Sequence, residues 1–139
     1  VSYTNFEIVT EELLPGGEKG LIAKTAIAAG TLIGIFDGEI QQFALDDGTF
    51  IDTDMHKYTV QMYRTGDVLY GLVGHPPEAL SGIDLINHSC TPNLTVRDRV
   101  IVVSDRSITA GDRLTIDYRA WDFVPEGRAC WCTNGACVI

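Results

Sequence analysis

The sequence predicts a mostly β fold of several small sheets. Three observations predict it: alternating or β-branched apolar runs recur along the chain, Gly, Asp and Pro signals separate them at short intervals, and helical periodicity is scarce. In order, the runs are "NFEIV" (5–9), "GLIAKTAI" (20–27), "TLIGIF" (31–36), "KYTVQMY" (57–63), "VLYGLV" (68–73), "NLTVRDRVIVV" (93–103) and "RLTIDY" (113–118). Arg64-Thr65-Gly66-Asp67 separates two strand patterns and reads as a hairpin, and "RDR" (97–99) does the same for the next pair. "PEALSGIDLIN" (77–87) holds a helical turn or two at most. "AIAAGTLIGI" (26–35) and "SITAGDRLTI" (107–116) each run from an apolar residue through a Gly turn into a new strand. That echo is too short for a repeat architecture and reads as one turn chemistry used twice.

At 139 residues and 45% hydrophobic content, the chain is one globular domain with enough apolar sequence for a core. Its longest apolar runs, such as "VIVV" (100–103), are strand-sized, far short of the roughly 20 residues that cross a bilayer. The chain opens on "VSYTNFEIV" with no initiator methionine and no charged-then-apolar leader, and so reads as trimmed, with no targeting signal. A net charge of -9, with ten Lys plus Arg scattered, opposes phosphate binding and favours a basic partner. Much of the acid sits in "DDGTFIDTD" (46–54), a solvated loop ahead of a docking surface for a cationic peptide.

Three of the four cysteines, Cys130, Cys132 and Cys137, close the chain as C-x-C-x4-C, and the fourth is Cys90 in "NHSCTPN". Four cysteines also allow two disulfides. Cys130 and Cys132 are too close to bridge each other comfortably, so a zinc site ranks ahead of disulfide staples. Four-thiolate coordination needs every sulfur around 2.3 Å from the ion, which would bring Cys90 against the tail.

"NHSCTPN" (87–93), then "AGDRLTIDY" (110–118), then C-x-C-x4-C, resembles the SET-domain family of protein lysine methyltransferases with its post-SET zinc tail. "EKGLIAKTAIAAGTLIGIFDGE" (18–39) is similar to the family's opening pattern, so the resemblance covers roughly residues 6 to 137. It implies a SET-domain β-clip fold in which the "NHSC" and "DY" segments form a pseudoknot. It also implies a SET domain over 1–122 and a zinc-bound post-SET tail over 123–139.

The implied reaction moves methyl from S-adenosylmethionine to a lysine side chain, leaving S-adenosylhomocysteine. Holding donor and amine in line is a task of orientation. A lysine of pKa about 10.4 must also lose its proton, at roughly 4 to 5 kcal/mol at pH 7, which an apolar aromatic channel favours. Tyr118 matches the family's catalytic tyrosine, and Asn87 and His88 match cofactor-holding positions. Glu18, Lys19 and Gly20 fall in the cofactor loop, and Tyr58 falls at a further cofactor-side tyrosine or on the core face of a strand. Trp121 and Trp131 close the lysine and cofactor channels, or plug the fold. Phe36 and Ile116 line the lysine channel, and Cys90, Cys130, Cys132 and Cys137 hold Zn2+.

The chain departs from the family pattern at four places. Glu18 replaces a loop glycine, Phe36 in "FDGE" a tyrosine, Ile116 a frequent aromatic that governs methyl count, and Asp84 a frequent arginine. The implied partner is a basic, lysine-containing protein or peptide, a histone tail being the common family target, with no direct nucleic acid and no membrane. Localisation follows as intracellular, nuclear in a eukaryote and otherwise cytoplasmic. Two rivals stand beside this reading. A cysteine hydrolase built on His88 and Cys90 lacks an evident third group and oxyanion hole, and a non-catalytic SET-like module would bind zinc and a peptide without methyl transfer.

Overall fold

A computed structural model gives the fold, and residues 2–15, 17, 19–46, 59–74 and 81–117 are described. Eleven strands lie among them: β1 (Tyr3–Thr4), β2 (Val9–Leu13), β3 (Lys19–Ala23), β4 (Leu32–Ile35), β5 (Glu39–Ala44), β6 (Thr59–Thr65), β7 (Val68–Val73), β8 (Asn87–His88), β9 (Leu94–Arg97), β10 (Ile101–Ser104) and β11 (Thr115–Ile116). One 3-10 turn, Gly82–Leu85, precedes β8. The strands form four small sheets, ordered β1-β4-β10-β9, β5-β7-β6, β2-β3 and β11-β8. All pairs are antiparallel except β8 with β11, which run parallel with Thr115 opposite Asn87 and Ile116 opposite His88. Mostly β with almost no helix is therefore the observed class.

Both expected hairpins form. Thr65 pairs with Val68 around Gly66 and Asp67. At the second, the Val100 N–H reaches the Arg97 carbonyl at 3.3 Å, and Asp98 and Arg99 have φ of 49° and 68°. That is the turn whose twist suits a hairpin, although asparagine and glycine adopt it more readily than arginine. Arg99 is tied down there, because its Nε donates to the Gln61 carbonyl at 2.5 Å where a register shift interrupts β6. Burial lowers the pKa of its guanidinium from the ordinary value.

Two expectations are corrected. "NFEIV" is not a strand over its length: the N–H groups of Ile8 and Val9 both turn back to the Asn5 carbonyl, and Phe6 is half exposed. Conversely, "EIQQFA" carries no apolar periodicity yet forms β5, paired along its whole length with β7. Its side chains are mostly exposed, so backbone pairing rather than burial defines it.

The echoed turns stand against each other. Ile27 and Ile108 exchange both backbone hydrogen bonds, at 2.9 and 2.8 Å. Gly30 N–H donates to the Ser104 carbonyl and Gly111 N–H to the Ala23 carbonyl, so each glycine bonds the residue four before the other turn's isoleucine. Both glycines have positive φ, 79° and 91°. The Ala23 N–H to the Asp112 carbonyl and the Ser104 N–H to the Thr31 carbonyl complete a local two-fold relation.

Ile27 and Ile108 also belong to the hydrophobic core, with Val9, Leu21, Ala23, Ile33, Val60, Ile83, Ile86, Leu94, Val102, Leu114 and Ile116. Each buried Val, Leu or Ile contributes roughly 1.5 to 3 kcal/mol. The core thus collects residues from the sheets' inner faces and the 3-10 turn, and it fixes β8 and β11 from beneath through Ile86, Leu114 and Ile116. Among the described residues, no helix is long and apolar enough to cross a membrane.

Candidate cofactor and catalytic site

The segment that delivers Asn87 and His88 is held at its start by side chains from the far end of the chain. A helical turn leaves its first N–H groups without internal partners. Here Gly82 N–H donates to Glu11 Oε2 at 2.9 Å, and Ile83 N–H to Thr4 Oγ1 at 3.0 Å. Gly82 has a φ of 58°, and an added Cβ would collide with that same Thr4 oxygen. Only glycine lets the turn sit this close to β1. Asp84 has a local role: the Ser2 hydroxyl donates to its Oδ1 at 2.7 Å, and Ser81 N–H to its Oδ2 at 3.5 Å. The family's frequent arginine is thus replaced by a carboxylate that closes its own turn.

From this turn the chain enters β8, which runs beside β11, with Ser89 N–H bonded to the Ile116 carbonyl at 2.9 Å. On the other side, Asn87 Nδ2 donates to the Lys19 carbonyl at 3.3 Å. Gly20 is buried against the same amide, where a Cβ would stand 2.9 Å from Asn87 Nδ2. Lys19 and Gly20, from one segment assigned to the cofactor from sequence, therefore meet Asn87 of the other. Asp117 follows the end of β11, and Tyr118 comes next in sequence.

His88 points the other way. Its side chain has no exposed surface, its Nδ1 lies 3.8 Å from Asp117 Oδ1, and its Nε2 lies 3.7 Å from Cys90 Sγ. The sulfur distance is a weak hydrogen bond, while the carboxylate distance exceeds hydrogen-bond length. The order carboxylate, imidazole, sulfur resembles a cysteine nucleophile's support, but Asp117 Oδ1 stands beyond hydrogen-bond length from the imidazole it would have to orient.

Of the remaining assigned residues, Lys19 is exposed and holds Asn87 through its carbonyl. Phe36 is partly buried and packs on the core, with its N–H bonded to the Val100 carbonyl at 2.8 Å. Ile116 is 2% exposed and is itself a core residue. Glu18, Tyr58, Tyr118, Trp121, Cys130, Trp131, Cys132 and Cys137, and with them the C-terminal tail, lie outside the described residues. Among the described residues no group of three or more His, Cys, Asp or Glu side chains could hold a metal. Thr4 and Glu11, which support the site, carried no sequence signal, because each acts across more than 70 residues on a backbone N–H.

The family model for the SET domain matches residues 18–119, which is most of the chain, and the chain belongs to that family. Among curated proteins, it is 28% identical over 152 residues to the histone-lysine N-methyltransferase ash1 of Drosophila melanogaster, covering 96% of this chain and 7% of that protein. It is 30% identical over 134 residues to a histone-lysine N-methyltransferase, H3 lysine-36 specific, of Yarrowia lipolytica, covering 86% of this chain and 16% of that protein. A third relative, the histone-lysine N-methyltransferase ATX2 of Arabidopsis thaliana, is 25% identical over 138 residues, covering 85% and 11%. The chain thus spans only a small part of the length of each of these relatives.

Proposed function

We propose that this chain is a protein-lysine N-methyltransferase domain that uses S-adenosylmethionine and acts on a lysine of a basic protein, a histone being the foremost candidate. The observation that carries this reading is the contact of Asn87 with Lys19 and Gly20, beside a β8–β11 pair whose next residues lead to Tyr118. That arrangement offers backbone groups and an amide along one solvent-accessible edge, which suits a polar ligand held by main chain. Gly20 lets the Asn87 amide approach the backbone where a side chain would collide with it. The three relatives are named as histone-lysine methyltransferases, which supports the substrate class.

When bound, S-adenosylmethionine supplies an activated methyl that passes in line to a neutral lysine nitrogen, leaving S-adenosylhomocysteine and a proton. Asn87 and the Lys19–Gly20 backbone hold the donor, and Tyr118 orients donor and amine with its hydroxyl. Phe36 and Ile116 supply the apolar walls that disfavour the ammonium form of the substrate. Glu18, Tyr58, Trp121 and Trp131 complete the two channels. Threading of the "NHSC" and "DY" segments as a pseudoknot fits the parallel β8–β11 pairing.

Under reducing conditions Cys90, Cys130, Cys132 and Cys137 would hold a zinc ion, which would tie the tail to the loop that follows β8. The donor set fits, since four thiolates make a closed structural zinc site. The expected location, with a histone as substrate, is the nucleus.

The test is direct. Incubation of the reduced, zinc-supplied domain with labelled S-adenosylmethionine and a panel of histones and cell-lysate proteins should label a lysine that mass spectrometry identifies. Binding of S-adenosylmethionine by calorimetry without transfer to any protein would favour a non-catalytic module instead.

A further inference from the structure

We propose that Asn93 is a positioning residue for methyl transfer: its side-chain amide stands in for a neighbouring strand and fixes the register of β11 against β8. The Thr115 N–H donates to Asn93 Oδ1 at 3.0 Å, and Asn93 Nδ2 donates to the Arg113 carbonyl at 2.9 Å. One residue group giving to a carbonyl and taking from the N–H two positions on is the hydrogen-bond pattern of a parallel ladder, here flanking Leu114. The orientation of the amide is unambiguous, since an N–H can meet only Oδ1 and a carbonyl only Nδ2.

Successive residues of a strand turn their backbone groups to opposite edges. Ile116 gives its carbonyl to Ser89 beside β8, whereas Thr115 turns its N–H the other way to Asn93. The short strand β11 is thus gripped on both edges, by β8 and by one side chain. Asn93 is itself immobilised: it is 9% exposed, it leads into β9, and its own carbonyl accepts from Asp105 N–H at 2.9 Å. The paired β9–β10 hairpin therefore sets the height of β11, three residues before Tyr118 and directly opposite Asn87.

No other standard side chain of this size supplies both bonds. Aspartate keeps the acceptor for Thr115 but brings a carboxylate against the Arg113 carbonyl, and alanine removes both partners. A slip of β11 moves the hydroxyl assigned to catalysis relative to the cofactor segment, a misplacement to which an oriented transfer is sensitive.

This role rests on the proposed methyltransferase function. The test compares wild type, Asn93→Ala and Asn93→Asp by hydrogen exchange and by steady-state kinetics well below their melting temperatures. In Asn93→Ala the Thr115 amide should exchange at least about tenfold faster while Leu114, bonded to the Leu21 carbonyl, keeps its protection. Its kcat should fall about tenfold or more, with peptide KM and S-adenosylmethionine affinity within about twofold. Asn93→Asp should keep most of the Thr115 protection and lie between the two in kcat. A purely structural residue would lower the melting temperature without this split. Unchanged Thr115 exchange in either folded variant, or unchanged kcat in Asn93→Ala beside an active wild type, overturns the role. A wild type that transfers no methyl to any lysine substrate overturns the function and this role with it, while the exchange data still report on the register clamp by itself.

Discussion

The side-chain amide of Asn87 donates to the carbonyl of Lys19 at 3.3 Å, joining segments 68 residues apart in sequence. Gly20 makes that approach possible, because its missing Cβ would otherwise stand 2.9 Å from Asn87 Nδ2. A Gly20→Ala substitution meets only the end of a movable side chain. Stability should therefore change by no more than about 1 kcal/mol, while the displaced amide weakens S-adenosylmethionine binding about tenfold. Calorimetry alongside thermal denaturation separates the two effects, and wild-type affinity would remove Asn87 from the cofactor site.

Gly82 should tolerate no side chain. Its positive φ and the collision of an added methyl with Thr4 Oγ1 together predict a loss of about 2 to 4 kcal/mol for Gly82→Ala. Thr4→Val, which leaves the Ile83 N–H buried without its acceptor, should cost about 1 to 3 kcal/mol. Urea denaturation of both variants measures these values, and a neutral Thr4→Val would show that the turn is held by other contacts.

Tyr118→Phe removes one hydroxyl from the proposed meeting point of donor and amine. Turnover should drop about a hundredfold with the fold and most cofactor affinity kept, as when one positioned polar group is lost from a dry site. Full turnover in this variant would reassign the catalytic role.

Purified under reducing conditions with zinc supplied, the wild type should hold about one zinc per chain. Cys90→Ser should release it and weaken cofactor binding at the same time, since the proposed metal would tie the tail to the loop that follows β8. Metal analysis decides the matter: a reduced wild type free of zinc, or a Cys90→Ser protein with full stoichiometry, refutes the four-cysteine site.

Ile116 and Phe36 remove two hydroxyls that the family pattern often has near the lysine channel. Fewer polar groups then pin the amine, and a methylated nitrogen can turn to present its lone pair again. Exhaustive reaction should yield di- or trimethyl-lysine by mass spectrometry, and a product that stops at one methyl refutes the idea. Ile116→Tyr should shift the product toward fewer methyls, at a stability cost of about 1 to 3 kcal/mol because the isoleucine is packed in the core.

What depends on local chemistry was legible in the chain before folding. Alternating apolar residues marked β6, β7, β9 and β10, and turn residues marked both hairpins, because side-chain period and φ preference act over a few residues. The ordered motifs marked the family and the candidate site residues. Packing in three dimensions settled which backbone groups meet. Strand β5 has no apolar pattern and exists through its pairing with β7, while Asn5 captures the N–H groups that would have made "NFEIV" a strand. Ile27 and Ile108 bond each other across 81 residues, Thr4 and Glu11 cap a turn near residue 82, and Asn93 grips β11. Each of these is a hydrogen bond between a group that every residue carries and a partner brought near by the packed core. Such a bond leaves no periodic trace in the chain, so its place is set by burial and topology rather than by neighbouring residues.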